Sequence, residues 1–334
     1  MVTLKRLLTL LLTSLPGCLQ ADTETFEHDF LTDVTPWSQA DFDNAEDKFT
    51  FAIFSDLNGG ERGRVFEVAL EQLSLLRPEF ILSVGDLIDG GTEDETQLTR
   101  EWDSFDERTS QVAAPVFRVG GNHDLTNQIM REFWEARYGS RYYHFIYKDV
   151  LFLALDSEDY TPERMREIYQ ARADALNVGV ENPERAQEME YYKMPERMTG
   201  EIGPEQAAYF VNVINSYPDV RWTFLFMHKP VWQKDDEPDF ESIETALSAR
   251  PYTLFNGHLH TYSHTTRNGR DYIMLGTTGG SQSLSDQMSF DHIALVTMDS
   301  NGPSIANIRL DGILDKTGYI PAGGDTLCFQ ASTC

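Results

Sequence analysis

Basic residues are scarce in this sequence, which has 27 lysines and arginines against 54 aspartates and glutamates in 334 residues. The formal net charge of −27 would repel nucleic-acid backbones and anionic membrane surfaces, so nucleic acid is excluded as an expected partner. Apolar residues still make up 41% of the chain, which is typical of a globular protein with a full core. We therefore interpret the excess of acidic residues as a solvating surface.

The apolar run near the N-terminus is too short to span a bilayer. It covers residues 7–15 and follows two basic residues, a layout that predicts a secretory signal peptide over residues 1–17. The next letters, LPGC, resemble a bacterial lipobox, so we expect Cys18 to carry lipid in a periplasmic or outer-membrane lipoprotein. The alternative is cleavage after Ala21, which would leave a soluble periplasmic or secreted protein. Membrane contact is expected only through the lipid anchor.

Cysteine is also rare, with three residues in the whole chain. If Cys18 carries lipid, Cys328 and Cys334 remain as a pair in the segment CFQASTC. In an exported chain, two close cysteines predict a small disulfide loop, here within a C-terminal tail over residues 313–334. The alternative is two free thiols on that tail.

A regular alternation of strands and helices begins at residue 49, after an acidic segment over 18–48 that we interpret as a tether or an edge wrap. Strands are predicted over 49–55, 79–86 and 115–124, with helices near 62–76 and 94–110 between them. This order predicts βαβ units and an α/β fold whose sheet is covered on both faces.

The second half of the predicted domain, which runs over residues 49–312, contains a hairpin and a helical insertion. The hairpin covers 141–157 and turns near Lys148 and Asp149, and the charged segment 158–200 is either a lid or a solvated surface insertion. The remaining predicted elements are a helix at 204–216 and strands at 220–228, 251–260, 271–276, 291–298 and 304–310.

Metal-ligand side chains follow five of the predicted strands. They are Asp56 with Asn58, Asp86, Asn122 with His123 and Asp124, His228, and His258 with His260. The carboxyl ends of strands form sites in open α/β sheets, so these side chains are expected to converge. Gly257 is expected to let the chain leave its strand, so that both histidines of GHLH face one site.

Carboxylate, amide and imidazole ligands together suit Mn, Fe or Zn rather than Ca. The set is too large for one tetrahedral ion, and two ions would share a carboxylate, for which Asp86 is the natural bridge. Such a pair holds a phosphoryl group and activates a water molecule for in-line attack.

Residues 49–310 resemble the calcineurin-like metallophosphoesterase superfamily. The resemblance rests on four motifs that occur in the order and spacing of that family: GD, GNHD, a later histidine and GHLH. The resemblance implies a four-layer α/β/β/α sandwich with a site for two divalent or trivalent metal ions above its two sheets. It also implies hydrolysis of a small-molecule phosphomonoester or phosphodiester, with a bridging hydroxide as the nucleophile.

The resemblance assigns a role to each matching residue. One metal ion would be held by Asp56, Asp86 and His260, and the other by Asp86, Asn122, His228 and His258. His123 matches the acid that protonates the leaving oxygen or binds phosphate beside Asn122, and Asp124 is expected to orient its imidazole.

The first motif departs from the family, because it reads Asp-x-Asn where Asp-x-His is common. An amide oxygen is a weaker and harder ligand than imidazole, so we expect Asn58 to replace the histidine only in part. Asp89 is expected to brace its loop, and the alternative is a metal-ligand role. Arg62 and Arg64 would either contact a phosphate or lie in the first turns of a solvated helix.

A second hypothesis is a non-catalytic lipoprotein that uses the same fold to bind a phosphorylated ligand or a partner. The intact GNHD and GHLH motifs favour the enzyme, because a binding protein has no use for a positioned acid. His264 and His292 are interpreted as structural or substrate-facing rather than as ligands, and His144 is interpreted as structural.

We expect Cys18→Ala to release the protein from membranes, because it removes the thiol that would carry the lipid. The measurement is the distribution of both forms between membrane and soluble fractions of the expressing cells. Cys328→Ala is the matched control and should keep the wild-type distribution. If Cys18→Ala stays with the membranes, the protein is not anchored through this residue.

Overall fold

The computed structural model describes residues 45–283 and 285–310. The predicted signal peptide, Cys18, Cys328 and Cys334 lie outside these residues, and so does most of the predicted tether. The described residues belong to one unit that begins at Ala45.

Strands and helices alternate along the first half of the described chain. They are β1 (Phe49–Phe54), α1 (Val65–Leu76), β2 (Phe80–Ser83), α2 (Glu95–Thr109), β3 (Val116–Phe117), α3 (Asn122–Leu125), α4 (Gln128–Tyr138), β4 (Tyr143–Tyr147) and β5 (Val150–Ala154). The second half continues with α5 (Pro162–Glu181), α6 (Pro183–Ala186), α7 (Pro204–Ser216), β6 (Trp222–Phe226), α8 (Pro238–Leu247), β7 (Tyr252–Asn256), β8 (Ser263–Arg267), β9 (Arg270–Met274), β10 (His292–Asp299) and β11 (Gly302–Arg309).

The strands form two sheets, with the orders β11-β10-β1-β2-β3 and β4-β5-β6-β7-β9-β8. Strands β1, β2 and β3 are parallel in the first sheet, and β5, β6, β7 and β9 are parallel in the second. The carboxyl ends of the central strands of each sheet therefore lie along one edge, where loops can carry a site.

Side chains alternate between the two faces of each strand, and this alternation divides the core into three layers. In β1, Phe49, Phe51 and Ile53 pack between the sheets, while Ala52 and Phe54 face the helices. The layer between the sheets is rich in phenylalanine, and the ring of Phe51 lies 5.3 Å from that of Phe80 and 5.1 Å from that of Phe224. Such aromatic pairs add about 0.5 to 1.5 kcal/mol each beyond simple burial.

Helices cover the outer face of each sheet. The first sheet packs against α1, α2 and α4 through the buried rings of Phe66, Trp102 and Trp134. The second packs against α7 and α8 through Phe210 and Ile243. The four-layer α/β/β/α sandwich expected from the resemblance is confirmed.

Most predicted elements are present, but four were missed. The hairpin turns at Lys148 and Asp149, whose φ angles of 45° and 58° fit the left-handed two-residue turns of hairpins. The missed elements are α3, which lies where the strand over 115–124 was predicted, and α4, α8 and β8. Strand β8 has the sequence SHTTR and is largely exposed at the sheet edge, so it lacks the apolar alternation that marks a half-buried strand.

The segment predicted as a helical insertion contains α5, α6 and two short 3-10 turns at Glu190–Lys193 and Pro195–Arg197. It has a small apolar cluster of its own, which includes Met165, Ile168 and Met194. None of the helices within the described ranges combines the length and apolar character needed to cross a bilayer.

His292, at the start of β10, is buried in the first sheet as the neutral imidazole. Its Nε2 accepts a hydrogen bond from the Gly276 amide at 2.9 Å, and its Nδ1 donates to the Asn307 side-chain oxygen at 3.0 Å. Burial lowers the pKa of His292 to about 4, and protonation would also remove the acceptor of the Gly276 amide. The structural interpretation of this residue is supported.

We expect His292 to make the metal-free protein less stable in acid. Between its unfolded pKa of about 6.5 and its folded pKa of about 4, only the unfolded chain binds the proton, so stability falls as the pH falls. The loss from this residue should reach about 3 kcal/mol. Urea unfolding at several pH values between 7 and 4 should show a shallower decline for His292→Gln than for the wild type.

The matched control is His264→Gln, which removes an exposed imidazole that pairs with Asp271 and should keep the wild-type decline. Equal pH dependence of His292→Gln and the wild type would show that His292 does not resist protonation in the folded state.

Candidate metal centre

The loops that leave the strand ends bring the predicted ligands together. In the first cluster, the candidate ligand atoms of Asp56, Asp86 and His260 all lie within 4.8 Å of one another. In the second cluster, those of Asp86, His228 and His258 do the same. The two clusters share Asp86, and its carboxylate is fully buried together with that of Asp56. The structure thus places one carboxylate between two groups of ligands.

Four of these residues have left-handed backbone conformations, which are rare for residues other than glycine. Their φ angles are 46° at Asp56, 57° at Asp86, 79° at His258 and 53° at His260. Each costs about 1 to 2 kcal/mol, and such costs are concentrated at functional sites where the surroundings impose the conformation.

The turn that lets both histidines of GHLH face one centre falls on His258 and His260 themselves rather than on Gly257. Gly257 serves a different purpose, because a Cβ atom at this position would collide with the Asp56 carboxylate and meet the Ser55 hydroxyl at 2.6 Å. The glycine therefore allows the loop after β7 to approach the loop after β1, where the His258 amide donates to Asp56.

Backbone carbonyls fix the orientation of every imidazole at the centre. The pairs are His228 Nδ1 with Val84 (2.8 Å), His258 Nε2 with Arg197 (2.7 Å), His260 Nδ1 with Ser281 (2.6 Å) and His123 Nδ1 with Asp89 (2.7 Å). A carbonyl only accepts, so each of these nitrogens carries a hydrogen and the other ring nitrogen presents its lone pair. Metal-binding histidines are held in this way in proteins.

The groups that converge on the second cluster are all acceptors. The Nε2 atom of His228 lies 3.2 Å from an oxygen of Asp86 and 3.2 Å from the side-chain oxygen of Asn122. In the first cluster, His260 Nε2 lies 3.4 Å from an oxygen of Asp56. Lone pairs this close repel one another unless a cation lies among them, either a proton or a metal ion.

The pKa values of His228 and Asp86 also show that positive charge is favoured at the centre. Burial alone would lower the pKa of His228, but the Asp86 carboxylate outweighs it and raises the pKa to about 9. Burial alone would raise the pKa of Asp86, yet His228 and His123 hold it well below its usual range. A metal ion would take the place of the proton, because it binds the deprotonated forms of both ligands.

The pKa of His258 moves in the opposite direction. Burial and the neighbouring positive charges of His228 and Lys229 hold it well below its usual range. His258 is therefore neutral at physiological pH, which is the form that binds a metal ion. Carboxylate, amide and imidazole donors together fit Mn, Fe or Zn, as the sequence predicts.

Asn58 lies close to the centre but faces a neighbouring cavity. Its side-chain oxygen is buried and accepts no hydrogen bond from any described residue, so it is available to an ion. The side chain lines a cavity of about 300 Å³ with Asp89, rather than the larger cavity above the two clusters. The ligand role of Asn58 stays a prediction.

The prediction that Asp124 orients the imidazole of His123 is wrong. The Asp124 carboxylate accepts hydrogen bonds from the amides of Gly121 (2.7 Å), Leu87 (2.9 Å) and Ile88 (3.2 Å). It lies in the first turn of α3, where an acid bonds back to the amides at the helix start. The carbonyl of Asp89 orients His123 instead. The expectation that Asp89 braces its loop stays a prediction.

Arg62 does not face the phosphate site. Its guanidinium pairs with Asp291 at 2.6 Å and donates to the carbonyl of Gly280 at 3.0 Å, so it holds the loop after β9 in place. Arg64 is exposed at the N-terminal cap of α1, which agrees with the solvated alternative.

A residue that the sequence did not reveal, Arg172, reaches the centre from α5. Its Nη2 atom lies 3.5 Å from Nε2 of His123, and both side chains line a cavity of about 680 Å³ above the centre. The sequence around Arg172 is rich in arginine and glutamate, so nothing distinguishes it from its solvated neighbours. Its position depends on how the insertion packs.

We expect Asp86→Ala to lose both metal ions, because both clusters share this carboxylate. The measurement is elemental analysis after loading with Mn and removal of free metal, with the wild type expected to hold two ions. Asp89→Ala is the matched control, since Asp89 contributes its carbonyl and the substitution keeps that carbonyl. Near-stoichiometric metal in Asp86→Ala would contradict the sharing of Asp86, and thermal unfolding would show whether the variant is folded.

Comparisons with solved structures find the same fold in several hydrolases. A dimetal phosphatase from Danio rerio has 16% identity and a TM-score of 0.52, over 78% of this chain and 99% of that one. A purple acid phosphatase from yellow lupin (Lupinus luteus) has 12% identity and a TM-score of 0.50, over 82% of this chain and 52% of that one. At these identities the likeness shows the fold alone.

A third structure is described as the anchor in the inner membrane complex of Plasmodium. It has 12% identity and a TM-score of 0.51, over 82% of this chain and 87% of that one. A search of curated proteins finds no match.

The family evidence comes from the sequence itself. A model of the calcineurin-like phosphoesterases matches residues 49–262, which is well over half of the chain. The matched range includes both ligand clusters and His123. With its two sheets, its shared aspartate and its anchored histidines, the chain therefore belongs to the calcineurin-like phosphoesterase family, whose members are metal-dependent hydrolases of phosphoric esters.

Proposed function

We propose that the protein hydrolyses phosphomonoester or phosphodiester bonds of a small molecule at this centre, with two divalent or trivalent metal ions. One observation carries the proposal. The Nε2 atom of His228 lies 3.2 Å from side-chain oxygens of both Asp86 and Asn122, and these acceptor atoms repel one another unless a cation lies among them. The identity of the metal is a further proposal, and the donor set supports Mn, Fe or Zn.

Two ions bound there would supply Lewis-acid stabilisation of the phosphoryl oxygens and would activate a water molecule as the nucleophile. Asp86 would take part in holding both ions, since its carboxylate belongs to both clusters. The left-handed backbone at Asp56 and Asp86 is part of the local structure that would position these carboxylates for the ions.

His123 would supply the proton for the leaving group. Its Nδ1–H donates to the carbonyl of Asp89 at 2.7 Å, so its Nε2 faces the cavity. When Nε2 is protonated, it can donate to the leaving oxygen as the bond from phosphorus to that oxygen breaks and a bond from phosphorus to the water oxygen forms. The proton then resides on the product alcohol, and His123 recovers a proton from solvent.

The same fold serves a second candidate function, non-catalytic binding of a phosphorylated ligand or a partner. Its support is the structural neighbour described as an anchor, together with the asparagine in the first motif. One experiment distinguishes the two functions. It measures hydrolysis of phosphomonoesters, phosphodiesters and pyrophosphates in the presence of Mn, Fe, Zn or Mg. Metal binding without hydrolysis of any of these substrates would favour the binding protein.

Export is part of the proposal and rests on the N-terminal sequence. The basic residues, the apolar run and LPGC support a lipoprotein of the periplasm or outer membrane. The substrate would then be a phosphoester of the periplasm or of the medium, since the described domain would lie on the outer side of the inner membrane.

We expect His123→Ala to keep both metal ions and to lose about 10² to 10⁴-fold in kcat if His123 acts as the general acid. The loss should shrink for substrates with acidic leaving groups, such as nitrophenyl phosphate, because these leave without a proton. The measurement is kcat against leaving-group pKa for both proteins, with His144→Ala as the control because His144 lies on β4 and bonds to Tyr209. An equal loss for every leaving group would mean that His123 binds phosphate and does not protonate the leaving oxygen.

A further inference from the structure

The inserted segment, residues 158–200, is attached directly to two loops of the metal centre. Lys229, which follows His228, forms a buried ion pair with Glu158 at 2.8 Å and donates to the carbonyl of Glu196 at 2.8 Å. The carbonyl of Arg197 accepts the hydrogen bond from His258. The segment is therefore fixed over the cavity by buried contacts at both of its ends.

Arg172 is directed at the centre from the middle of α5. Its guanidinium occupies space beside Gly91, where a Cβ atom would collide with it, and its Nη2 lies 3.5 Å from Nε2 of His123. Among the described residues, no carboxylate lies within ion-pair distance of Arg172. The charge of Arg172 is therefore not balanced by an adjacent acid, and its position beside His123 at the cavity suits an anionic ligand.

Apolar side chains continue from Arg172 along the same face of the helix. Leu176 lies four residues further on, so it follows Arg172 on that face, and its side chain is 53% exposed. Tyr192 and Met198 reach the same cavity from the two 3-10 turns and the residues after them, and both are exposed. The cavity thus has Arg172 next to His123 and three apolar side chains beyond it. A second arginine, Arg197, also lines the cavity and lies over the ring of Tyr192.

The apolar exposure is concentrated on this segment. Of the eight large apolar side chains that are exposed in the described ranges, four lie within 158–200: Leu176, Val180, Tyr192 and Met198. Exposed apolar groups that gather at the mouth of a cavity mark a binding surface more often than a solvated one. A lid that only excluded water would bury these side chains.

We infer that the inserted segment forms the leaving-group site, in which Arg172 binds a phosphoryl oxygen and Leu176, Tyr192 and Met198 contact an apolar leaving group. The substrate class is a phosphomonoester of an apolar alcohol or phenol, because a further cation beside the metal ions suits a doubly charged phosphoryl group. The cavity of about 680 Å³ accommodates a group of that kind. This inference rests on the proposed function and deepens it.

The test uses ethyl, butyl and hexyl phosphate with the full-length protein loaded with Mn. All three substrates release a primary alcohol, so the chemistry is constant and only the apolar surface grows. We expect kcat/KM of the wild type to rise about twofold per added methylene, which is less than full burial would give. Leu176→Gln should flatten this slope, because it replaces part of the apolar wall with a polar side chain.

Arg172→Gln should lower kcat/KM for all three substrates by about 10- to 100-fold without changing the slope, since it removes a charged hydrogen bond to the phosphoryl group. The matched controls are Arg166→Gln, an exposed arginine of the same helix that pairs with Glu163, and Leu75→Gln, an exposed leucine of α1. Both controls should behave as the wild type.

Binding of ethyl- and hexylphosphonate, measured by calorimetry on the same proteins, separates this inference from the proposed function. Hexylphosphonate should bind more tightly than ethylphosphonate, and Leu176→Gln should remove the difference. If the protein binds in this way but hydrolyses no phosphoester, the proposed function fails, and what stands is a binding site for apolar phosphates formed by Arg172 and the apolar side chains. If it hydrolyses all three esters with equal kcat/KM, or if Leu176→Gln keeps the wild-type slope, the leaving-group site is wrong.

Discussion

The carboxylate of Asp86 is the group on which the rest of the centre depends. It belongs to both ligand clusters, lies 3.2 Å from His228 and accepts the amide of His123 at 2.9 Å. A buried carboxylate is costly unless positive charge and hydrogen bonds surround it. Three features supply this positive charge and these hydrogen bonds, or place the carboxylate where it receives them. They are the left-handed turn at Asp86, the anchored imidazoles and the start of α3.

The two sheets make this arrangement possible, because each supplies part of the centre. Asp56, Asp86 and Asn122 follow strands of the first sheet, and His228 and His258 follow strands of the second. The phenylalanine-rich layer between the sheets holds the two edges in register, and a shift between them would separate the clusters. Packing between the sheets, away from the metal centre, therefore fixes the distances between the ligands of the two sheets.

The inserted segment shows why part of the site was not found in the sequence. A helix at α7 follows from apolar spacing, and the metal ligands follow from motifs at strand ends. Arg172 has no such signal, because its neighbours along α5 are also charged and its role depends on a contact with His123. The role of Asp124 was misassigned for a similar reason, since the helix start at Gly121 competes with the imidazole for its carboxylate.

The sequence by itself determined the α/β class, because periodicity is a property of short segments, and its motifs, through their likeness to the family, pointed to the residues that gather around Asp86. Only the tertiary structure decided which carbonyl orients each histidine, that Asn58 lines a neighbouring cavity, and that Arg172 reaches His123. These facts depend on contacts between residues far apart in the chain, and the alternating pattern of a strand carries no information about which distant loop will pack against its end.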